Sequence, residues 1–200
     1  MRPILLALLA AVLTGCGTPA AAPQASSAPP TTSKSVWKGT SVKEPPPVTE
    51  TPLKLGAYAK DPCEVIKKDW LEDFGLSRLG TSKNDNGKVR CWWDPLDKER
   101  GTAIEVVFLH NRSGLFPLYQ RPVDDFKYFR PGTISGYPSV EATGKTVADN
   151  VCATHVVTAE FEGFTVYATV LDPKADEYSN PCTASNEAAA AVIERLKAPR

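Results

Sequence analysis

The side chain best placed to do chemistry is the thiol of Cys16. It closes the run Leu13-Thr14-Gly15-Cys16, directly behind ten apolar residues from Ile4 to Leu13 that follow Arg2. A small residue and then a cysteine behind a short apolar run form the cleavage site of a bacterial lipoprotein leader. The Cys16 thiol is the group there that can take a diacylglyceryl thioether, and palmitate-type chains complete such an anchor. The apolar run is about half the roughly twenty residues that a membrane span needs. Residues 1–15 are therefore expected to be removed as a signal peptide. The mature chain then starts at a lipid-bearing Cys16, on the extracytoplasmic face of the cell membrane.

Other reactive types are present without the spacing that chemistry needs. His110 and His155 are the only histidines, and a triad or zinc site would require further ligands or a nucleophile beside them. The ordinary reading of His155 is a partly buried ring with a hydrogen-bond partner. Gly132-Thr133-Ile134-Ser135-Gly136 is G-x-x-S-G, not the G-x-S-x-G of a nucleophile elbow. Asp94 with Asp97 and Asp124 with Asp125 are carboxylate pairs, but adjacency in sequence does not set two carboxyls across a cleft. No catalytic residue, metal site or cofactor is expected.

Four cysteines remain for structure: Cys63, Cys91, Cys152 and Cys182, separated by 28, 61 and 30 residues. Zinc sites favour close pairs such as C-x-x-C, so an even number at long spacing in an exported chain reads as disulfides. Four cysteines allow three pairings. The local one, Cys63–Cys91 with Cys152–Cys182, is the expectation.

Composition then divides the chain. Residues 16–55 are rich in Pro, Ala, Ser and Thr and cannot bury enough surface to offset their ordering entropy. They read as a disordered tether, about 35 Å from end to end as a flexible coil. Residues 56–200 read as one α+β globular domain. Acidic and basic residues number 23 each, and removal of Arg2 leaves one net negative charge. No basic run stands out, so nucleic acid is not an expected partner.

Within the domain, Asp61-Pro62-Cys63-Glu64 has the spacing of a capping box with proline at the first helical position. Ile66, Trp70 and Phe74 continue at helical spacing until Gly75, which predicts one helix. Val89 to Trp93 and Thr102 to His110 read as strands, and Pro122 reads as the start of a short helix through Phe129. Gly136 to Val140 leads into another strand. A hairpin is expected over 151–171 with its turn at Glu162-Gly163. Phe161 would then pair with Phe164, and Phe161, Phe164, Val166 and Val157 would share the core face, leaving the other face wet. Asn180-Pro181-Cys182 starts a helix to about Lys197, with Ala189, Val192, Ile193 and Leu196 as its buried stripe. The order predicts an antiparallel sheet with an N-terminal and a C-terminal helix packed on it.

Two places could supply a binding surface. Trp92 and Trp93 are adjacent on a strand and point to opposite faces, so one belongs to the core. The other is either covered or exposed as an anchor. Between residues 115 and 130, Tyr119, Phe126, Tyr128 and other rings alternate with Arg121, Lys127 and Arg130. Aromatic and arginine side chains are enriched at interfaces. The competing reading is that these rings close one end of the core.

The frame Asp61-Pro62-Cys63, Cys91-Trp92, Gly136-Tyr137-Pro138, Cys152 and Asn180-Pro181-Cys182, behind a lipobox and tether, resembles a family of cell-surface lipoproteins of high-GC Gram-positive bacteria, domain of unknown function 3558. The resemblance covers the globular part. It implies lipid anchoring, two disulfides and an α+β domain, and it carries no known activity. Asn180 stands where an acidic cap is expected, and Asn caps equally well.

The expected function is a non-enzymatic binding or scaffolding module at the cell envelope. Its partners would be the membrane, through Cys16, and an envelope protein or small ligand. The alternatives are a small-molecule or lipid carrier with an apolar pocket, and an envelope hydrolase using a histidine.

Overall fold

A computed structural model describes residues 44–85, 87–110 and 114–198. The leader, Cys16 and the tether as far as Lys43 lie outside the described residues, as does the side chain of His110. The elements are α1 (Lys68–Asp73), β1 (Thr81–Asp85), β2 (Lys88–Trp93), β3 (Thr102–His110), α2 (Phe116–Tyr119), β4 (Phe126–Ile134), β5 (Tyr137–Gly144), β6 (Val151–Ala159), β7 (Glu162–Val170) and α3 (Cys182–Lys197). The fold is α+β: one antiparallel sheet in the order β1-β2-β3-β7-β6-β5-β4, with helices packed on it.

The main core lies between one face of the sheet and α3 with the N-terminal turns. Ile104, Val106, Val156, Phe164, Val166 and Ala168 line that face, and each is fully out of contact with water. Ala184, Ala188 and Ala191 lie buried beside the stripe of Ala189, Val192 and Ile193. Their small side chains let the α3 backbone approach β6 and β7 closely. Ser185 and Thr154 are both fully buried, and each satisfies the other through hydroxyls 2.7 Å apart.

Both disulfides follow the local pairing. Cys63 joins Cys91 with Cα atoms 5.1 Å apart, and Cys152 joins Cys182 at 5.0 Å. The first pins a turn to β2, and the second pins the first residue of α3 to β6.

The expected helix from Asp61 to Phe74 is broken. Pro62–Val65 is a 3-10 turn, Ile66 is extended at φ −120° and ψ 139°, and α1 begins at Lys68. Asp61 makes no side-chain cap bond. Val65 and Ile66 are adjacent β-branched residues, stiff at χ1, and helical continuation is weakest there. Leu71 takes the buried position, while Trp70 and Phe74 stack half-buried with ring centroids 4.6 Å apart.

The helix expected from Pro122 to Phe129 is a strand. Only Val123–Asp125 turns, as a 3-10 segment, and β4 follows immediately. β4 is the last strand of the sheet, which is where Pro131 can sit without removing a ladder bond. The domain also begins before residue 56. Leu53 and Leu55 are buried, Leu53 N–H donates to the Thr158 carbonyl at 3.0 Å, and the Tyr137 hydroxyl donates to the Thr51 carbonyl at 2.8 Å.

The β6–β7 hairpin turns at Glu160-Phe161. Ala159 pairs with Glu162 and Val156 with Phe164, with a bulge between Val157 and Ala159. Compared with the expected register, Val157 moves to the face opposite Phe164, because an odd slip reverses side-chain direction. Phe161 is 55% exposed rather than in the core. Gly163 explains the choice: a Cβ there would lie 2.4 Å from the Val156 carbonyl oxygen, so the glycine serves a close strand contact, not a turn. Val157 joins a second core on the other face, with Leu115, Tyr119, Phe126, Phe129, Val140 and Ala142. That face is therefore apolar at its β4–β5–β6 end instead of uniformly wet.

Candidate functional site

Strand alternation along β4 sends its side chains two ways. Phe126 and Phe129 enter the second core, with a register irregularity between Phe126 and Tyr128. Tyr128 and Arg130 turn toward the start of α3. The 3-10 turn Asp176–Ser179 and the Asn180-Pro181-Cys182 corner face them, held there by the Cys152–Cys182 disulfide. Between these walls is a cavity of about 440 Å³, lined by Lys127, Tyr128, Arg130, Tyr178, Asn180 and Cys182 among others.

The polar groups of this cavity are braced from behind. The Arg130 guanidinium lies 4.8 Å over the Tyr128 ring, its Nε donates to Glu141 Oε2 at 2.9 Å, and its Nη2 reaches within 3.6 Å of Cys182 Sγ. The Tyr128 hydroxyl accepts from Thr143 Oγ1 at 2.8 Å and lies 3.1 Å from the same sulfur. Burial raises the Tyr128 phenol above its ordinary value, opposed by the Thr143 bond and the Arg130 charge. Glu141 Oε1 accepts from Asn186 Nδ2 at 2.7 Å on α3. Lys127 pairs with Asp149 and also donates to the Val147 carbonyl at 2.7 Å. The cations of the cavity are thus answered by Glu141 and Asp149. The site can hold a small polar molecule between two phenol rings, a guanidinium and an amide.

Among the residues singled out from the sequence for a binding surface or a disulfide, Lys127, Tyr128, Arg130 and Cys182 meet here. Trp93 is fully buried against the first core, and Tyr119 and Phe126 lie in the second, each 6% exposed. Trp93 is thus the tryptophan of the pair that belongs to the core, while Tyr119 and Phe126 are core residues in correction of the expected surface, and the rings of 115–130 largely close the core. Arg121 is exposed, stacked 4.8 Å over Phe126 and paired with Asp125 at 3.4 Å. Trp92 is half-buried elsewhere on the sheet. Tyr178, Asn180 and Asp149 went unnoticed as site residues. The expected Cys152–Cys182 bond was the signal that could have placed the 178–182 corner beside β6.

The family described as "Protein of unknown function (DUF3558)" matches residues 11–195. The chain belongs to this family. No curated protein and no solved structure matches it. In this DUF3558 chain, the Asn180-Pro181-Cys182 corner does not cap α3 in the expected way. Pro181 occupies the cap position without a side-chain bond, and Asn180 donates from its amide to Thr183 Oγ1 at 3.0 Å.

Several of the other reactive groups among the described residues have structural partners. His155 Nδ1 lies 2.8 Å from Thr165 Oγ1, and Thr165 is 2% exposed. Desolvation pulls the His155 ring down to about 4, against a hydrogen bond that the ring donates to the Ala142 backbone carbonyl, so the ring is neutral at pH 7. Ser135 and Gly136, at φ 51° and 92°, form the two-residue turn between β4 and β5, in the manner of a type I′ hairpin. Asp97 accepts the backbone N–H groups of Glu99 and Arg100 at 3.0 and 3.1 Å. Asp94 accepts the Trp92 indole N–H at 2.8 Å.

Proposed function

We propose that this protein is a lipid-anchored module that binds a small polar ligand at the extracytoplasmic face of the cell membrane and does no chemistry on it. The cavity between β4 and the start of α3 is the ligand seat. The observation that carries this reading is the cavity itself. Its volume of about 440 Å³ falls in the range of small-ligand sites. The polar groups on its mostly apolar walls are braced by the Arg130–Glu141–Asn186 chain and by a disulfide. Preorganised groups lose little freedom on binding, which favours affinity without induced closure. The lipobox at Cys16 and the long Pro-rich tether support the anchoring part.

A carrier with an apolar pocket has less support, because the space between the sheet and α3 is filled by Ala188, Ala189, Val192 and Ile193, all at zero exposure. A hydrolase using His155 has less support too, because that ring is engaged with Thr165.

Native mass spectrometry of the full lipidated protein, extracted from intact cells, tests the reading. A small-molecule adduct is expected on the wild type and is expected to be lost in Arg130→Ala and Tyr178→Ala at an unchanged melting temperature. An adduct that survives both substitutions, or no adduct on the wild type, would count against the cavity.

A further inference from the structure

The second face of the sheet carries an arrangement separate from the cavity. Register places Trp92, Glu105, Tyr167 and Ala153 in one row across β2, β3, β7 and β6. Paired residues share a face, so these side chains rise on the same side. Their chain neighbours Cys91, Trp93, Ile104, Val106, Val166 and Ala168 fill the main core beneath. Trp92, Glu105 and Tyr167 are half-buried, as are Arg90, Val107 and Thr169 beside them. The row is therefore a partly accessible strip, with the central Glu105 side chain 15% exposed, on a rigid floor.

Its chemistry is specific. The Trp92 indole is oriented by its bond to Asp94. The Tyr167 hydroxyl has no hydrogen-bond partner among the described residues. Glu105 lies between the two rings and pairs with Arg90 at 3.1 Å, and Arg90 pairs in turn with Asp85, which also meets Lys83 at 3.3 Å. Two cations thus answer two anions, and the Asp94 carboxylate at the strip's edge leaves one negative charge, which disfavours an anionic ligand. Trp92 and Tyr167 stand two strands apart, about 10 Å at ordinary strand spacing, comparable to the length of a disaccharide.

This combination selects its occupant. Aromatic faces offer a surface to the C–H faces of pyranose rings. A fixed carboxylate–guanidinium pair offers acceptors and donors to hydroxyls without attracting a charged ligand. Four strands by a few residues measure roughly 15 Å each way, on the order of 200 Å². That is far below the roughly 800 Å² per partner of a specific protein interface. We propose that the Trp92–Glu105–Tyr167 row is a binding platform for a neutral glycan chain.

The test uses the full chain and a panel of neutral probes: chitohexaose, cellohexaose, dextran and mannan. Binding is followed by affinity electrophoresis and by tryptophan fluorescence. The wild type is expected to bind at least one probe. Trp92→Ala and Tyr167→Ala are expected to weaken that binding tenfold or more, Trp92→Phe to retain most of it, and Arg130→Ala to leave it unchanged. The last variant separates the platform from the cavity, so either reading can fail alone. Melting temperatures check folding, and Trp92→Phe decides the matter should Trp92→Ala fail to fold. No binding to any probe would overturn the proposal. So would binding only to a charged polysaccharide, only to a protein, or binding that survives in both alanine variants.

Discussion

Gly80 stands so close to Cys91 that a methyl group on its Cα would lie 2.3 Å from the Cys91 Sγ and 2.7 Å from Trp93 Nε1. The segment before β1 thus threads between the Cys63–Cys91 disulfide and a fully buried indole, and only a residue without a side chain fits. None of the three groups can swing away, since two are joined covalently and the third is enclosed by core. Trp93 Nε1 also has no hydrogen-bond partner among the described residues. Gly80→Ala is expected to destabilise the domain toward the upper end of the about 1–3 kcal/mol typical of overpacking. Urea denaturation of the oxidised protein measures this. A midpoint equal to that of the wild type would mean that the 75–80 loop shifts freely.

Stability should depend on pH through His155. Its folded value of about 4 lies below the ordinary 6.5, so the unfolded chain binds more protons between those values. Stability from this residue is then complete above about pH 6.5 and declines as pH falls to about 4. A shift of that size corresponds to about 3 kcal/mol. His155→Gln should flatten the decline. Denaturation at pH 7, 5.5 and 4 gives the slopes, and equal slopes for both proteins would remove His155 as the cause.

The disulfides should differ in what they support. Loops of 28 and 30 residues give about 3–4 kcal/mol each on chain-entropy grounds. Purified protein should show no free thiol, and peptide mapping should return Cys63–Cys91 and Cys152–Cys182. Replacing Cys152 and Cys182 together by Ser should cost stability and also loosen the 178–182 wall of the cavity, lowering recovery of the adduct. Replacing Cys63 and Cys91 together should cost stability alone. Equal effects on the adduct would show that the wall does not depend on its own disulfide.

Membrane attachment should depend on Cys16. On the proposed anchoring, the Cys16→Ala protein lacks the thiol that would take the thioether and should move from the detergent phase to the aqueous phase in phase partitioning. Continued partitioning into detergent would show that something else holds the protein at the membrane.

Much of the fold was legible because it rests on local signals. The strands at Val89 to Trp93 and Thr102 to His110, the helix ending near Lys197 and the local cysteine pairing all follow from short-range pattern. The errors fall where a distant partner overrides that pattern. Phe126 to Ile134 looked unlike a strand because Pro131 interrupts it, and only its place at the sheet edge makes the proline harmless. Glu162-Gly163 looked like a turn until Val156 claimed the glycine for close contact.

What the sequence determined by itself is composition-level and covalent: a short apolar run that ends at a cysteine, a Pro-, Ala- and Ser-rich stretch set apart from a more apolar remainder, and four cysteines spaced for two bridges. These depend on residues near one another in the chain. Tertiary structure alone decided which rings are surface and which are core. Tyr128 reaches the cavity while Phe126 and Phe129 do not, because an irregularity in the β4–β5 register sets which way each residue turns. Trp92, Glu105 and Tyr167 form a row only because β7 inserts between β3 and β6. Strand order is set by the free energy of the whole sheet, and no window of residues along the chain contains it.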